Sequence, residues 1–158
     1  RVLPAGQLGE ISIQGPNVMS GYVRNPEANA TAFTDGWFRT GDQGRFDDDG
    51  YLTITGRFKE FINRAGEKIT PREVDEVLSN HPKIREAATV GKRDPRLGEV
   101  LVAFVVLDEG ASLTKEEFFE YCKTEMVKYK RPVDVHFVDS LPKTGTNKIN
   151  RRALRERV

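Results

Sequence analysis

The chain has 158 residues, with 25 Lys and Arg against 24 Asp and Glu, for a formal net charge of +1. With 37% hydrophobic and 31% charged residues it has the composition of a globular protein, and its length is close to that of one domain. No apolar run approaches the ~20 residues of a membrane span, and no signal-peptide pattern opens the chain. A single cysteine, Cys122, excludes an internal disulfide framework and a cysteine-built metal site. These features predict an intracellular, cytoplasmic location.

The neutral total hides an uneven distribution. Residues 1–122 hold 15 basic and 20 acidic side chains, a net of −5, whereas residues 123–158 hold 10 basic and 4 acidic, a net of +6. An acidic body with a basic end points to an anion as the partner of that end. Glycine is skewed too: ten of the 14 lie between Gly6 and Gly66. The composition changes across residues 56–66, and the boundary is placed at Gly56-Arg57, giving segments 1–56 and 57–158.

In chain order, residues 8–14 alternate apolar and polar, the pattern of a half-buried strand. Gly15-Pro16-Asn17 breaks it. Residues 25–32 fit a short helix, and residues 37–40 a short strand that ends in a turn at Gly41-Asp42. Asp47-Asp48-Asp49-Gly50 reads as a hairpin turn joining Gly44-Arg45-Phe46 to residues 51–54, because Asp-Gly supplies positive φ. It lacks the remaining ligands of a calcium loop. The first third is mostly β.

After Gly56 the pattern is mixed. Thr70-Pro71-Arg72-Glu73 starts a helix, with Thr at the N-cap, Pro at N1 and Glu at N3. Val74, Val77 and Leu78 form its stripe, and His81-Pro82 ends it. Residues 87–91 read as a strand, and the eight apolar residues 100–107 as a strand covered on both faces. Thr114 and Glu117 form a second capping box. Phe118, Cys122, Met126 and Tyr129 follow at helical spacing up to Pro132, and are assigned to the core. Val133, Val135 and Phe137 alternate as a last strand. A Gly/Thr/Asn loop over residues 143–148 leads into a short basic helix over residues 149–157. The fold class is α+β: a short sheet flanked by helices, preceded by the β-rich segment.

Three places can carry chemistry. A carboxylate at Asp42 can accept both hydroxyls of a ribose, or cap nearby backbone N–H groups. Arg57 can fork onto a phosphate or sugar, or pair with Glu60 at the surface. Lys148, in a loop of small polar residues, can stabilise charge developing on a phosphate. Alternatively it belongs to a solvated or nucleic-acid-binding basic patch with Arg151, Arg152, Arg155 and Arg157. The glycine spacing is not that of a Walker-type loop. His81, His136 and Cys122 read as structural, and no metal-ligand spacing is present.

In this order and spacing the motifs resemble the C-terminal portion of adenylate-forming enzymes, the superfamily of acyl-CoA synthetases, adenylation domains and luciferases. Residues 9–22 are similar to the family's late N-domain strand and glycine turn. Asp35-Gly36-Trp37-Phe38-Arg39-Thr40-Gly41-Asp42 resembles its ribose-binding motif, Gly56-Arg57-Phe58-Lys59-Glu60-Phe61-Ile62 its hinge motif, and Gly66-Glu67-Lys68-Ile69-Thr70-Pro71-Arg72-Glu73-Val74 its continuation. The resemblance implies that Asp42 and Arg57 bind the nucleotide, that Lys59 is the hinge, and that Gly66 and Glu67 line the coenzyme A channel in the thioester step. It makes Lys148 the adenylation lysine, although Asn147 stands where the family has glycine. Residues 1–56 would be the end of a large AMP-binding domain and 57–158 a mobile C-terminal domain.

The chemistry so implied has two steps. A carboxylic acid attacks the α-phosphate of ATP, giving an acyl-adenylate and pyrophosphate. Coenzyme A then displaces AMP. Mg2+ would be held by residues outside this chain, and the chain alone would lack the upstream catalytic domain and be inactive. Ile69-Thr70-Pro71 is more similar to stand-alone acyl-CoA ligases than to adenylation domains of peptide synthetases, which remain an alternative. A non-catalytic module that binds nucleic acid through the basic end is another.

Overall fold

Residues 2–158 are described by the computed structural model, and they sort into one unit ending at Lys59 and a second over Glu60–Val158.

The first unit is a four-stranded antiparallel sheet with one helix. Strand β1 (Gly9–Ile13) pairs with β3 (Trp37–Phe46), which also pairs with β2 (Phe33–Thr34) and β4 (Leu52–Arg57). Helix α1 (Pro26–Ala32) starts where the Asn25 side chain accepts the Ala28 N–H at 3.0 Å. The β3–β4 hairpin turns on Asp47, whose Oδ1 accepts the N–H groups of Asp49 (3.1 Å) and Tyr51 (2.8 Å). One expectation fails here. Residues 37–40 do not end in a turn at Gly41-Asp42, because β3 runs straight through them. The register with β1 slips between Glu10 and Ser12, so a bulge forms, and Gly41 absorbs it at φ +73°.

The second unit is built on a five-stranded sheet. Its spatial order is β6 (Glu67–Ile69), β5 (Ile62–Arg64), β8 (Gly98–Leu107), β7 (Ile84–Asp94), with β9 (Asp134–Phe137) parallel to β8. Alternation along β8 splits its side chains between two cores. Leu101, Ala103 and Val105 face one that also holds Val74 and Leu78 of α2 (Pro71–Ser79) and Phe118 and Cys122 of α3 (Lys115–Glu125). Val102, Phe104 and Val106 face another that holds Leu141 and, from α4 (Arg151–Arg155), Leu154. A strand covered on both faces reads as an unbroken apolar run for this reason. The α+β class stands.

Several boundaries differ from the sequence reading. Strands β5 and β6 have three residues each and carry no periodic signal. Strand β7 extends well beyond residues 87–91, since its hairpin with β8 pairs residues out to Asp94. Helix α3 stops at Glu125 and does not reach Pro132. Met126 is already extended, and Arg131 donates back to the carbonyls of Met126 (2.8 Å) and Lys123 (2.9 Å), satisfying the end of the helix. Tyr129 is consequently 41% exposed and not core. On β9 only Val135 is buried, with Val133 and Phe137 at the surface. The last helix is shorter than residues 149–157, because Asn150 caps it by accepting the Ala153 N–H at 3.1 Å.

Candidate functional site

Asp42 and Arg57 sit opposite one another in the β3–β4 register. Arg57 Nε donates to Asp42 Oδ1 at 2.6 Å. This replaces the expected pair of Arg57 with Glu60. Strand pairing carries the Arg57 side chain to Asp42, while Glu60 lies beyond the strand in a 3-10 turn over Phe58–Glu60. The bulge around Asp42 is braced from β1. Glu10 Oε1 accepts the Gly41 N–H (3.2 Å), and Glu10 Oε2 accepts from Arg39 (2.6 Å). Thr40 Oγ1 donates to the Ile11 carbonyl (2.7 Å) and accepts the Asp42 N–H (3.1 Å). The sequence reading did not single out Glu10 or Thr40 for this role. Their pairing depends on a register slip that no periodicity announces.

Lys59 is the last residue of the first unit and the middle of the 3-10 turn. Ala65 (φ +53°) and Gly66 (φ +92°) form the two-residue turn between β5 and β6, and Glu67 pairs with Arg64 directly after it. Two successive positive φ values are the geometry of a type I′ hairpin. A Cβ added at Gly66 would meet nothing within 4 Å, so only its backbone conformation demands glycine. The Gly66-Glu67 tip therefore projects on a short, stiff hairpin.

The Lys148 segment is a hydrogen-bonded turn closed by a bridge. Lys143 and Ile149 face each other in an antiparallel bridge. Within it, Thr144 N–H donates to the Lys148 carbonyl (2.7 Å), Asn147 N–H to the Thr144 carbonyl (2.9 Å), and Lys148 N–H to Thr144 Oγ1 (3.2 Å). Asn147 adopts φ +60°, a conformation that Asn tolerates better than most residues. Residues 144–148 are exposed. Among the described residues of its own unit, no carboxylate lies within ion-pair distance of the Lys148 ammonium.

Three of its basic neighbours are paired, whereas Arg155 and Arg157, like Lys148, have no carboxylate at ion-pair distance among the described residues of this unit. Lys143 pairs with Glu86 on β7, and Arg152 with Glu156. Arg151 is mostly buried: it donates to Asp75 Oδ2 (2.6 Å) and the Thr89 carbonyl (3.0 Å) and lies 3.3 Å from Glu60 Oε2. The proposed patch of Arg151, Arg152, Arg155 and Arg157 is thus broken at its first member. Burial pushes the Asp75 carboxyl up to about 6, against the opposing pull of Arg151 and the bonds from Thr89. Burial also pushes the Cys122 thiol up to about 12, which disfavours a nucleophilic thiolate. His81 Nδ1 accepts the Lys83 N–H, and the His136 ring stacks on Phe104, so each has a structural partner.

Residues 73–148 match the model of the AMP-binding enzyme C-terminal domain. That segment belongs to the family. The oxalate–CoA ligase of Saccharomyces cerevisiae is 50% identical to this AMP-binding enzyme domain and its preceding segment, over 98% of this chain and 29% of the ligase. The 2-succinylbenzoate–CoA ligase of Bacillus licheniformis is 45% identical over 94% of this chain and 31% of its own length. The chain therefore spans about 30% of the curated relatives it matches. The crystal structure of ATP-bound MatB from Rhodopseudomonas palustris superposes with a TM-score of 0.92 at 36% identity, over 98% of this chain and 31% of that one. Among the described residues, no helix is long and apolar enough to cross a membrane.

Proposed function

We propose that the chain supplies the ribose carboxylate, the hinge and the adenylation lysine of an ATP-dependent acyl-CoA ligase. In this reading residues 1–56 close a large nucleotide-binding domain and 57–158 are its mobile partner domain. The observation that carries the proposal is Lys148. It stands at an exposed, tightly bonded turn without an acidic partner in its own unit, while Lys143, Arg151 and Arg152 around it are all paired. A free ammonium on a fixed turn is suited to meet a phosphate and stabilise charge that develops there.

In the first step a carboxylate oxygen of the acid attacks the α-phosphorus of ATP, and the bond to pyrophosphate breaks. Asp42 holds the ribose hydroxyls, with Oδ1 fixed by Arg57, and Lys148 offsets the growing negative charge on the phosphate. In the second step the sulfur of coenzyme A attacks the acyl carbon, the bond to the AMP phosphate breaks, and AMP leaves. Rotation at Lys59 withdraws Lys148 and brings up the Gly66-Glu67 tip, a hinge change absorbed by a few backbone angles. Among the described residues, no three His, Cys, Asp or Glu side chains converge as a metal cage.

Relatives that act on oxalate and on 2-succinylbenzoate are both at least 45% identical over this stretch. That supports placing machinery common to such ligases here, and selection of the acid elsewhere. In the full-length protein, Lys148→Ala lowers acyl-adenylate formation on the order of 100-fold or more. Thioester formation from supplied acyl-adenylate changes little. Pyrophosphate release at the parental rate would overturn the reading. Neither the chain alone forming a CoA thioester nor tight, salt-sensitive duplex binding is expected, and filter binding to DNA and RNA checks the second.

A further inference from the structure

The turn that presents Lys148 has almost no side-chain packing of its own. Residues 144–148 are exposed, and the helix that follows has only five residues, too few to be stable by itself. Its internal hydrogen bonds set its shape, so what anchors it to the rest of the unit lies at its two ends. Both ends stand on β7. At one end Lys143 pairs with Glu86. At the other, Asn150 N–H donates to the Pro142 carbonyl (2.8 Å), and the next residue is Arg151.

Arg151 meets β7 in a particular way. Strand β7 is the outer strand of its sheet, so the outward N–H and C=O of Thr89 lack a strand partner. Asp75 Oδ1 accepts that N–H at 2.6 Å, and Arg151 donates to that carbonyl at 3.0 Å. The two side chains then hold each other, with Arg151 on Asp75 Oδ2 at 2.6 Å. Together they complete the sheet edge as a neighbouring backbone would, while joining α2 to α4. The side chains are only 17% and 11% exposed. Losing Arg151 leaves Asp75 buried without its cationic partner, which a structure tolerates poorly, whereas Arg151 also faces Glu60 at 3.3 Å.

We propose that Arg151 is the positioning residue for Lys148: its joint contact with Asp75 and Thr89 fixes the far end of the turn and so the height and direction of the ammonium. This rests on the adenylation role assigned to Lys148 above. The geometry has a directional consequence. The Gly66-Glu67 hairpin is braced by β5 and β6 and not by Arg151, so a loosened turn harms the adenylation step and spares the thioester step.

The test uses the full-length protein with Arg151→Gln, Arg151→Lys, and Arg152→Gln as the exposed neighbour control. Arg151→Gln lowers kcat for acyl-adenylate formation by about 10- to 100-fold, the size of effect a misplaced catalytic group produces. KM for ATP and the rate of thioester formation from supplied acyl-adenylate stay within about twofold. Arg151→Lys keeps the charge and restores part of the adenylation rate, and it replaces the Gln variant if that one does not fold. Hydrogen exchange of the peptide over residues 142–150 speeds up in Arg151→Gln and not in Arg152→Gln. Equal losses in both half-reactions overturn the inference, as does unchanged exchange in that peptide. Parental adenylation in Arg151→Gln overturns it while leaving the Lys148 assignment intact, provided Lys148→Ala abolishes the step. Parental adenylation in Lys148→Ala overturns the assignment and the inference together.

Discussion

The first unit and the second obey different physical rules. Among the described residues up to Lys59, the sole buried one is Gly44, and Ile13, Tyr22, Trp37, Phe46, Leu52 and Ile54 are all substantially exposed. That sheet is held by strand pairing, an Asx turn, a capped helix and the Glu10 brace under its bulge. The second unit contains every buried hydrophobic residue, arranged on both faces of β8. Burial of apolar area is the main stabilising term in folding, and it is roughly proportional to that area. The second unit is therefore expected to fold by itself, whereas the first displays apolar side chains at its surface and is not.

The largest expected effect comes from separating the two. A chain of residues 60–158, which holds no tryptophan, unfolds in urea in one cooperative transition read by circular dichroism, and a chain of residues 1–59 shows none by circular dichroism or tryptophan fluorescence. Trp37 belongs to the first unit, so its emission maximum in the short chain stays at the solvent-exposed position. A cooperative transition in residues 1–59 would erase the distinction between the units.

The same contrast decides what could be read in the sequence. The second unit was legible where burial imposes period: the eight-residue apolar run of β8, the stripe of α2, and the two capping boxes all fall where expected. Its errors lie where a tertiary contact overrides local pattern, as when Arg131 ends α3 before Tyr129. Three-residue strands such as β5 and β6 are too short for a period to register. In the first unit the helix and the Asp47–Gly50 hairpin were legible from cap and turn chemistry. The bulge at Gly41 was not, since a register slip is a property of two strands. The site followed the same split. Asp42, Arg57 and Lys148 were singled out from residue type and motif, but the Asp75–Arg151 pair was hidden by 76 residues of separation, and Arg151 entered only as a member of the alternative basic patch.

A second, smaller effect sharpens the picture of the buried pair. The Asp75 carboxyl releases its proton near 3.8 in the unfolded chain and near 6 when buried. Between those values the folded chain binds more protons than the unfolded one. Stability contributed by this group is present below the unfolded value and falls as pH rises through the folded one, by at most about 1.4 kcal/mol per pH unit. Arg151 from α4 faces the carboxylate directly, and Glu60 faces it only across Arg151. In Asp75→Asn the slope between about pH 4 and 6 disappears from urea midpoints measured across that range. A slope that persists unchanged would assign it to other groups.

The smallest effect on stability is expected where the effect on function is large. Arg57 is 58% exposed and its bond to Asp42 lies in the unit without a core. An exposed ion pair of this kind contributes roughly 0–1 kcal/mol. Arg57→Met in the full-length protein therefore leaves the urea midpoint nearly unchanged. The pair nevertheless fixes which oxygen of Asp42 is free. Oδ1 is taken by Arg57, and among the described residues of this unit no hydrogen bond reaches Oδ2. Without Arg57 the carboxylate can rotate on the bulge, and in the role proposed for Asp42 a ribose would have to reorder it on binding. A bond to a charged group is worth about 1.5–3 kcal/mol, so KM for ATP rises by about tenfold or more while kcat falls less. If stability drops by several kcal/mol instead, Arg57 supports packing that the exposure of this unit does not reveal, and the division between a self-supporting unit and a geometry-bearing one is wrong at its most exposed point.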